Sequence, residues 1–145
     1  MNYYFYDTCS LLLQVDNLPD NLIISSITLN ELEEIKTSSN KDPNIKYSAR
    51  KLLHWFDKNS NKFTCWIFRT NMLDPIQQAN VEINNDTKIL ACALDYDRNV
   101  HPDETIFVTN DIALKNIANL FFGEDSIISV GEDEELDNYT GYIEV

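Results

Sequence analysis

The sequence predicts an α/β domain whose central sheet is mostly parallel and is covered by helices on both faces. Short apolar runs with the length of buried strands alternate along the chain with segments of helical periodicity. Parallel strands need a crossover connection that is usually a helix, so this alternation favours a mostly parallel sheet. The length of 145 residues and the ordinary apolar share of 43% fit one globular domain with its own core.

Five runs have the length and composition of strands. The first is rich in aromatic residues and stops at Asp7, and the others are short apolar stretches bounded by polar residues. We therefore expect a sheet of about five strands. The predicted strands are residues 2–6, 22–25, 63–68, 105–109 and 126–130.

Helices are predicted in the intervals between these strands. The second of them has apolar positions that recur every three residues, and the third, residues 45–58, is amphipathic. Right-handed crossovers place the carboxyl ends of all parallel strands at one edge of the sheet, which is where such folds bind ligands. The predicted helices begin at Thr8, Thr28, Ile45, Asp86 and Asp111.

The net charge of −13 is unevenly distributed along the chain. Eight of the eleven basic residues lie between Lys36 and Arg69, where the local balance is +6. Eight acidic residues lie between Glu124 and Glu144, after the last basic residue. The sequence thus predicts a domain over residues 1–130 with a basic middle, followed over residues 131–145 by an acidic tail or a linker toward a second domain.

Several classes of protein are disfavoured by composition. No run of about 18 apolar residues is present, and the N-terminus lacks the basic region of a signal peptide, so we expect a cytoplasmic protein. The three cysteines lack the spacing of a zinc site or a disulfide framework. The two histidines, His54 and His101, are far apart and have no neighbour at metal-ligand spacing.

Four acidic residues occupy matching places at the predicted strand ends and helix starts. They are Asp7, Glu31, Asp86 and Asp111. Four carboxylates at one edge of a sheet repel one another unless a counter-charge is present. Hard oxygen ligands suit Mg²⁺ or Mn²⁺, and one or two such ions can activate water and stabilise charge during phosphodiester hydrolysis. The pattern therefore predicts metal-assisted phosphodiester hydrolysis.

Each acid also has a purely structural interpretation. Thr28 and Glu31 have the spacing of a capping box, in which Glu31 would only satisfy the start of its helix. Asp86 and Asp111 suit the first turn of a helix, and Asp7 can end a strand or cap the next helix. Spacing alone leaves both interpretations open.

The acids and their surroundings resemble the PIN-domain ribonucleases. The resemblance is carried by YFYDTCSLL at residues 4–12, ISSITLNEL at 24–32, NDTKILACAL at 85–94 and FVTNDIAL at 107–114. It implies a three-layer α/β/α fold and a metal-dependent endoribonuclease that acts on single-stranded RNA. It also implies that Asp7, Glu31, Asp86 and Asp111 are the catalytic, metal-binding acids. Thr8, Thr109 and Asn110 would then be polar neighbours that orient a carboxylate or a metal-bound water.

The third and fourth motifs look most like the N-terminal PIN domain of PhoH-like proteins, which precedes an ATPase domain of helicase type. Residues 139–142, YTGY, are similar to the junction between those two domains, but no Walker A sequence is present. The resemblance allows further partners besides RNA. They are an ATPase domain in a longer parent chain, an antitoxin-like inhibitor if the chain is a toxin, and a second copy of the chain.

The basic segment is the candidate surface for RNA. Lys46, Arg50 and Lys51 lie on the third predicted helix, where they form either a patch that binds the RNA backbone or an ordinary solvated face. Tyr47 or Trp55 can stack on a base, although Trp55 also fits the core.

The sequence also allows two further functions. One is a catalytically silent module of the same fold that binds RNA or a protein. The other is a phospho-receiver domain, which is disfavoured because that fold needs paired acids after its first strand and Asp7 is flanked by Tyr6 and Thr8.

Overall fold

The computed structural model of the protein describes residues 1–130. The predicted acidic tail or linker, residues 131–145, lies outside the described residues, so the division at residue 130 stays a prediction. Within the described part, no helix is long and apolar enough to cross a membrane.

Five parallel strands form the central sheet, which confirms the predicted fold class. Their spatial order is β3-β2-β1-β4-β5, and every neighbouring pair is parallel. The first strand therefore lies at the centre of the sheet. The strands are β1 (Tyr3–Tyr6), β2 (Leu22–Ser25), β3 (Phe63–Trp66), β4 (Thr105–Val108) and β5 (Ile127–Ile128).

Six α-helices and two 3₁₀ turns connect the described strands. The two longest, α3 and α5, begin at good caps: the side chain of Asp42 accepts a hydrogen bond from the backbone of Asn44, and that of Asn84 accepts one from Thr87. The helices are α1 (Thr8–Leu13), α2 (Ser26–Thr37), α3 (Pro43–Lys58), α4 (Asp74–Gln78), α5 (Asn85–Asn99) and α6 (Ile112–Ala118), with 3₁₀ turns at Thr70–Leu73 and Glu124–Ser126.

The two faces of the sheet carry separate cores, which makes the fold a three-layer α/β/α sandwich. On one face Phe5 and Phe107 pack with Leu90 of α5. On the other face Ile24 packs with Leu32 of α2 and Leu52 of α3. Alternate residues of a strand point to opposite faces, so a sheet buried on both sides consists of nearly continuous apolar runs.

The helices differ from the sequence analysis at two places, one a wrong helix start and the other a segment for which no structure was predicted. Helix α2 begins at Ser26 instead of Thr28, because the side chain of Ser25 accepts the hydrogen bond from the backbone of Ile27, 3.0 Å away. No element was predicted between the third strand and α5, yet a 3₁₀ turn and α4 form there and bury Leu73 and Ile76. These short helices have too few residues to show a helical period in the sequence.

Candidate functional site

Asp7 joins the central strand to α1 at the carboxyl edge of the sheet. Its Oδ1 accepts the backbone N–H of Ser10 at 2.9 Å, which caps α1, and its Oδ2 accepts the hydroxyl of Thr109 at 2.6 Å. The residue is only 3% exposed. Burial raises the pKa of Asp7, a rise that the hydrogen bonds from Thr109 and Ser10 oppose and that the nearby Asp111 reinforces.

Thr109 links Asp7 to Asp111 across two neighbouring strands. Its hydroxyl donates to Asp7 and accepts the backbone N–H of Asp111 at 3.2 Å. The Oδ1 of Asp111 in turn accepts the backbone N–H groups of Ala113 and Leu114 and so caps α6. Both strand-end acids are thereby fixed by backbone hydrogen bonds as well as by a shared threonine.

Glu31 lies in the second turn of α2, where it has no capping role. Because α2 starts at Ser26, the capping-box interpretation of Thr28 and Glu31 is wrong. The Oε1 of Glu31 instead accepts the hydroxyl of Thr8 at 2.7 Å, from the first residue of α1. Burial raises the pKa of Glu31, hydrogen bonds from Thr8 and Asn85 lower it, and the charges of Asp7 and Glu34 add to the rise.

Asp86 occupies the first turn of α5 and is the acid most strongly affected by the others. Burial, together with the negative charges of Asp7, Glu31 and Asp111, raises its pKa from 3.8 to about 7. Asp86 therefore lies within electrostatic reach of the other three predicted acids.

Three of the acids line an open cleft of about 740 Å³ at this edge of the sheet, and Asp7 lies buried close by. Sequence analysis missed three of the polar lining residues, Glu34, Glu82 and Asn85, and it assigned a fourth, Lys41, to the basic segment and not to this cleft. Glu34 follows Glu31 by one helical turn and Asn85 directly precedes Asp86, so these two carried a local signal. The charged lining residues, together with one amide, are Glu31, Glu34, Lys41, Glu82, Asn85, Asp86 and Asp111.

The chemistry of this donor set fits a hard divalent cation. The lining carboxylates outnumber the basic residues among the described lining, and the pKa of Asp86 is raised first by burial and then by the negative charges of Asp7, Glu31 and Asp111. Mg²⁺ and Mn²⁺ bind through a few carboxylates together with water. The side chains do not yet form a coordination sphere: within residues 1–130, no group of three or more His, Cys, Asp or Glu residues is arranged to hold a metal ion.

The three polar neighbours of the acids make different contacts. Thr8 donates to Glu31 and Thr109 donates to Asp7, so each holds one carboxylate. Asn110 binds the chain beyond β5: its Nδ2 donates to the carbonyl of Val130 at 3.0 Å, and its Oδ1 accepts the N–H of Val130 at 2.8 Å.

The basic residues of α3 are not among the residues that line the cleft. Lys51 forms an ion pair with Asp16, while Lys46 is half-buried and Arg50 is exposed. Trp55 packs against the aromatic rings of the α3 core, and Tyr47 is 59% exposed. Tyr47 is thus more accessible than Trp55 for stacking on a base.

A comparison with known protein families matches one family over most of the described chain. The family model for the PIN domain matches residues 4–121, a range that contains all four acids. No curated protein matches the chain.

Proposed function

The chain belongs to the PIN-domain family, and from that premise we propose that it is a divalent-metal-dependent endoribonuclease that cuts single-stranded RNA. PIN domains are generally nucleases and typically bind divalent metals. The observation that carries the proposal is Asp86, a carboxyl group that borders an open cleft and whose pKa is raised to about 7 by burial and by the charges of three other acids. A cluster of this kind is costly for the fold, which supports a role in holding a cation.

One or two Mg²⁺ or Mn²⁺ ions held by Asp7, Glu31, Asp86 and Asp111 would lower the pKa of water and neutralise charge that develops on a phosphodiester. Hydrogen bonds within the protein already hold three of these carboxylates in place. Asp7 and Asp111 are held by helix-capping hydrogen bonds and share Thr109. Thr8 holds Glu31 on the facing helix. Carboxylates that are oriented before binding lose little conformational freedom when a cation arrives.

Metal removal is the direct test of this proposal. We expect Mn²⁺ to support cleavage inside a circular single-stranded RNA, since an endonuclease needs no free end, and we expect excess EDTA to abolish it. Adding Mn²⁺ back should restore the activity. A circular single-stranded DNA of the same sequence tests the sugar preference. Cleavage that persists in EDTA would contradict the proposed chemistry.

A catalytically silent module is the second candidate, and one observation favours it. Both carboxylate oxygens of Asp7 are already engaged by Ser10 and Thr109, and no metal-binding arrangement is formed within residues 1–130. Such a module would bind RNA without cutting it. Stoichiometric RNA binding with no cleavage at any Mn²⁺ or Mg²⁺ concentration would support this alternative over the nuclease.

The sequence motifs around two of the acids support a proposal about which larger proteins the chain is related to. We propose that it is related to the N-terminal PIN domain of PhoH-like proteins, whose partner is an ATPase domain, because NDTKIL and TNDIAL surround Asp86 and Asp111. A toxin with an antitoxin-like inhibitor and a homo-oligomer are the other arrangements that this family resemblance supports. The three cysteines form no disulfide within residues 1–130, which is compatible with the reducing cytoplasm.

The basic face of α3 supplies a separate prediction about RNA binding. We expect Lys46→Glu together with Arg50→Glu to weaken RNA binding and to flatten its salt dependence, because each lost phosphate contact removes about 0.7 from the slope of log K against log salt. Lys58→Glu with Lys62→Glu, at the far end of α3 and beyond it, is the matched charge change. Equal salt slopes of RNA binding for the two double variants would show that the α3 face does not contact the RNA.

A further inference from the structure

A second open groove lies along α2, next to the acidic cleft, and has a volume of about 460 Å³. This volume is within the range of ~300–1,000 Å³ that is typical of ligand sites. The four acids and the basic residues of α3 are not among its described lining residues, so the groove has no part in the site described above. The described lining is apolar at Ile27, Leu29 and Phe68 and polar at Ser26, Asn30 and Glu33.

The groove and the cleft occupy adjacent sides of α2. Asn30 lines the groove and the next residue, Glu31, lines the cleft. Glu33 and Glu34 are divided in the same way. Consecutive residues of an α-helix point about 100° apart, so the groove and the cleft follow one another around the helix. An RNA strand with a phosphate at the acids can therefore continue into the groove along the surface of α2.

The aromatic wall of the groove is fixed by contacts within the protein. The backbone N–H of Phe68 donates to the hydroxyl of Ser26, the first residue of α2, at 2.9 Å. The ring of Phe68 packs against the core, and the ammonium group of Lys88 lies 5.8 Å from the ring centroid. Lys88 follows Asp86 by two residues in α5, so this helix also connects the aromatic wall with the acids. A wall that is formed before binding loses little conformational freedom when a ligand arrives.

The charges in the groove differ from those in the cleft. Glu33 is the one acidic residue among the described lining of the groove, and it forms an ion pair with Lys36 at 2.9 Å. The negative charge of the groove is thus compensated locally, whereas carboxylates outnumber basic residues in the described lining of the cleft. The exposed amide of Asn30 can both donate and accept a hydrogen bond. Apolar walls with one such amide suit a flat, neutral ring that has polar edges.

We propose that this groove binds a nucleobase of the RNA strand whose scissile phosphate lies at the acidic cleft. The inference rests on the proposed nuclease function, and it adds a contact to a base to the backbone contact expected of the α3 face. The base packs against the ring of Phe68, and its edge hydrogen-bonds to the amide of Asn30. Every base has a π face, so the groove accepts any of them. It excludes a double helix, because the bases there are already stacked and paired.

The test is a double-mutant cycle between the groove and single abasic positions in a short single-stranded RNA. Binding is measured with Mg²⁺ in the full chain carrying Asp7→Asn, which prevents cleavage. At one position, loss of the base should weaken binding at least about fivefold. Phe68→Leu keeps an apolar side chain against the core, but it should weaken binding of the intact RNA and remove most of the abasic effect. Ile67→Ala should leave the abasic effect unchanged, because Ile67 is 58% exposed and outside the described lining.

Asn30→Leu is a second variant that does not disturb the core, since Asn30 is exposed. It should reduce the abasic effect at the same position, and melting temperatures show that each variant folds. An abasic effect that neither variant changes, or RNA binding without any abasic effect, would overturn the groove alone. A coupled abasic effect in a protein that never cleaves RNA with Asp7 intact would contradict the nuclease and leave the base contact supported. No RNA binding by the wild type would overturn both.

Discussion

The Asp7→Asn variant is expected to lose at least ~100-fold in Mn²⁺-dependent RNA cleavage while keeping a thermal stability no lower than that of the wild type. Asp7 is 3% exposed, and burial raises its pKa, so ionising this carboxyl costs the fold free energy. The amide keeps an oxygen for the Ser10 N–H, and the Thr109 hydroxyl can turn to accept from the amide nitrogen. A neutral side chain therefore fits the fold but is a poor ligand for a divalent cation.

The combination of lost activity and retained stability distinguishes function from structure at this position. Asp20→Asn is the matched control: it makes the same chemical change at an exposed residue just before β2, at the opposite edge of the sheet. Cleavage rates and melting temperatures would be measured on all three proteins. Equal cleavage by wild type and Asp7→Asn would point to a contaminating nuclease. A large drop in melting temperature would show that Asp7 is needed chiefly as a helix cap.

The pH dependence of stability should report the mutual repulsion of the acids. Asp86 has a pKa of about 7 in the folded protein, above its ordinary value of 3.8. Between these two values the folded protein retains a proton that the unfolded chain has released, so stability falls as pH rises through this window. Without divalent cations, we expect the free energy of unfolding to be lower at pH 8 than at pH 5 by about 2–3 kcal/mol.

Two changes should abolish this loss of stability. In Asp86→Asn the side chain cannot ionise, so the variant should be more stable than the wild type at pH 8, and its free energy of unfolding should depend less on pH.

Millimolar Mn²⁺ should stabilise the wild type at pH 8, because binding to the folded state adds free energy of unfolding, and it should stabilise Asp86→Asn much less. Chemical unfolding at the two pH values checks this, with Asp20→Asn again as control. Identical pH profiles of stability for wild type and Asp86→Asn would contradict the assignment of this pH dependence to Asp86.

The sheet was predictable because the pattern that specifies it is local. Each strand is a short apolar run, each is followed by a helical segment, and parallel pairing then places every strand end at one edge. This reasoning alone located Asp7 and Asp111, which directly follow or nearly follow the strands β1 and β4. The same local reasoning gave α2 the wrong first residue, because both Ser25 and Thr28 are good caps and the end of β2 decides between them.

The far wall of the cleft could not be predicted, because distant segments form it. Lys41 reaches the site through the connection between α2 and α3, and Glu82 through the segment between α4 and α5. Neither residue has a motif or a periodic pattern around it. Their proximity depends on how the helices pack, which is a property of the tertiary fold and not of any short run of sequence.

The hydrogen bond between Thr109 and Asp7 spans 102 positions of the chain, and this separation has a consequence for synthesis. A chain still growing on the ribosome contains Asp7 and Glu31 early, but it lacks both the threonine that holds Asp7 and the last acid. The central strand also lacks its β4 neighbour until residues 105–108 have been made. The nascent polypeptide, which is surrounded by the RNA of its own translation, therefore carries no completed site until nearly the whole described domain has emerged.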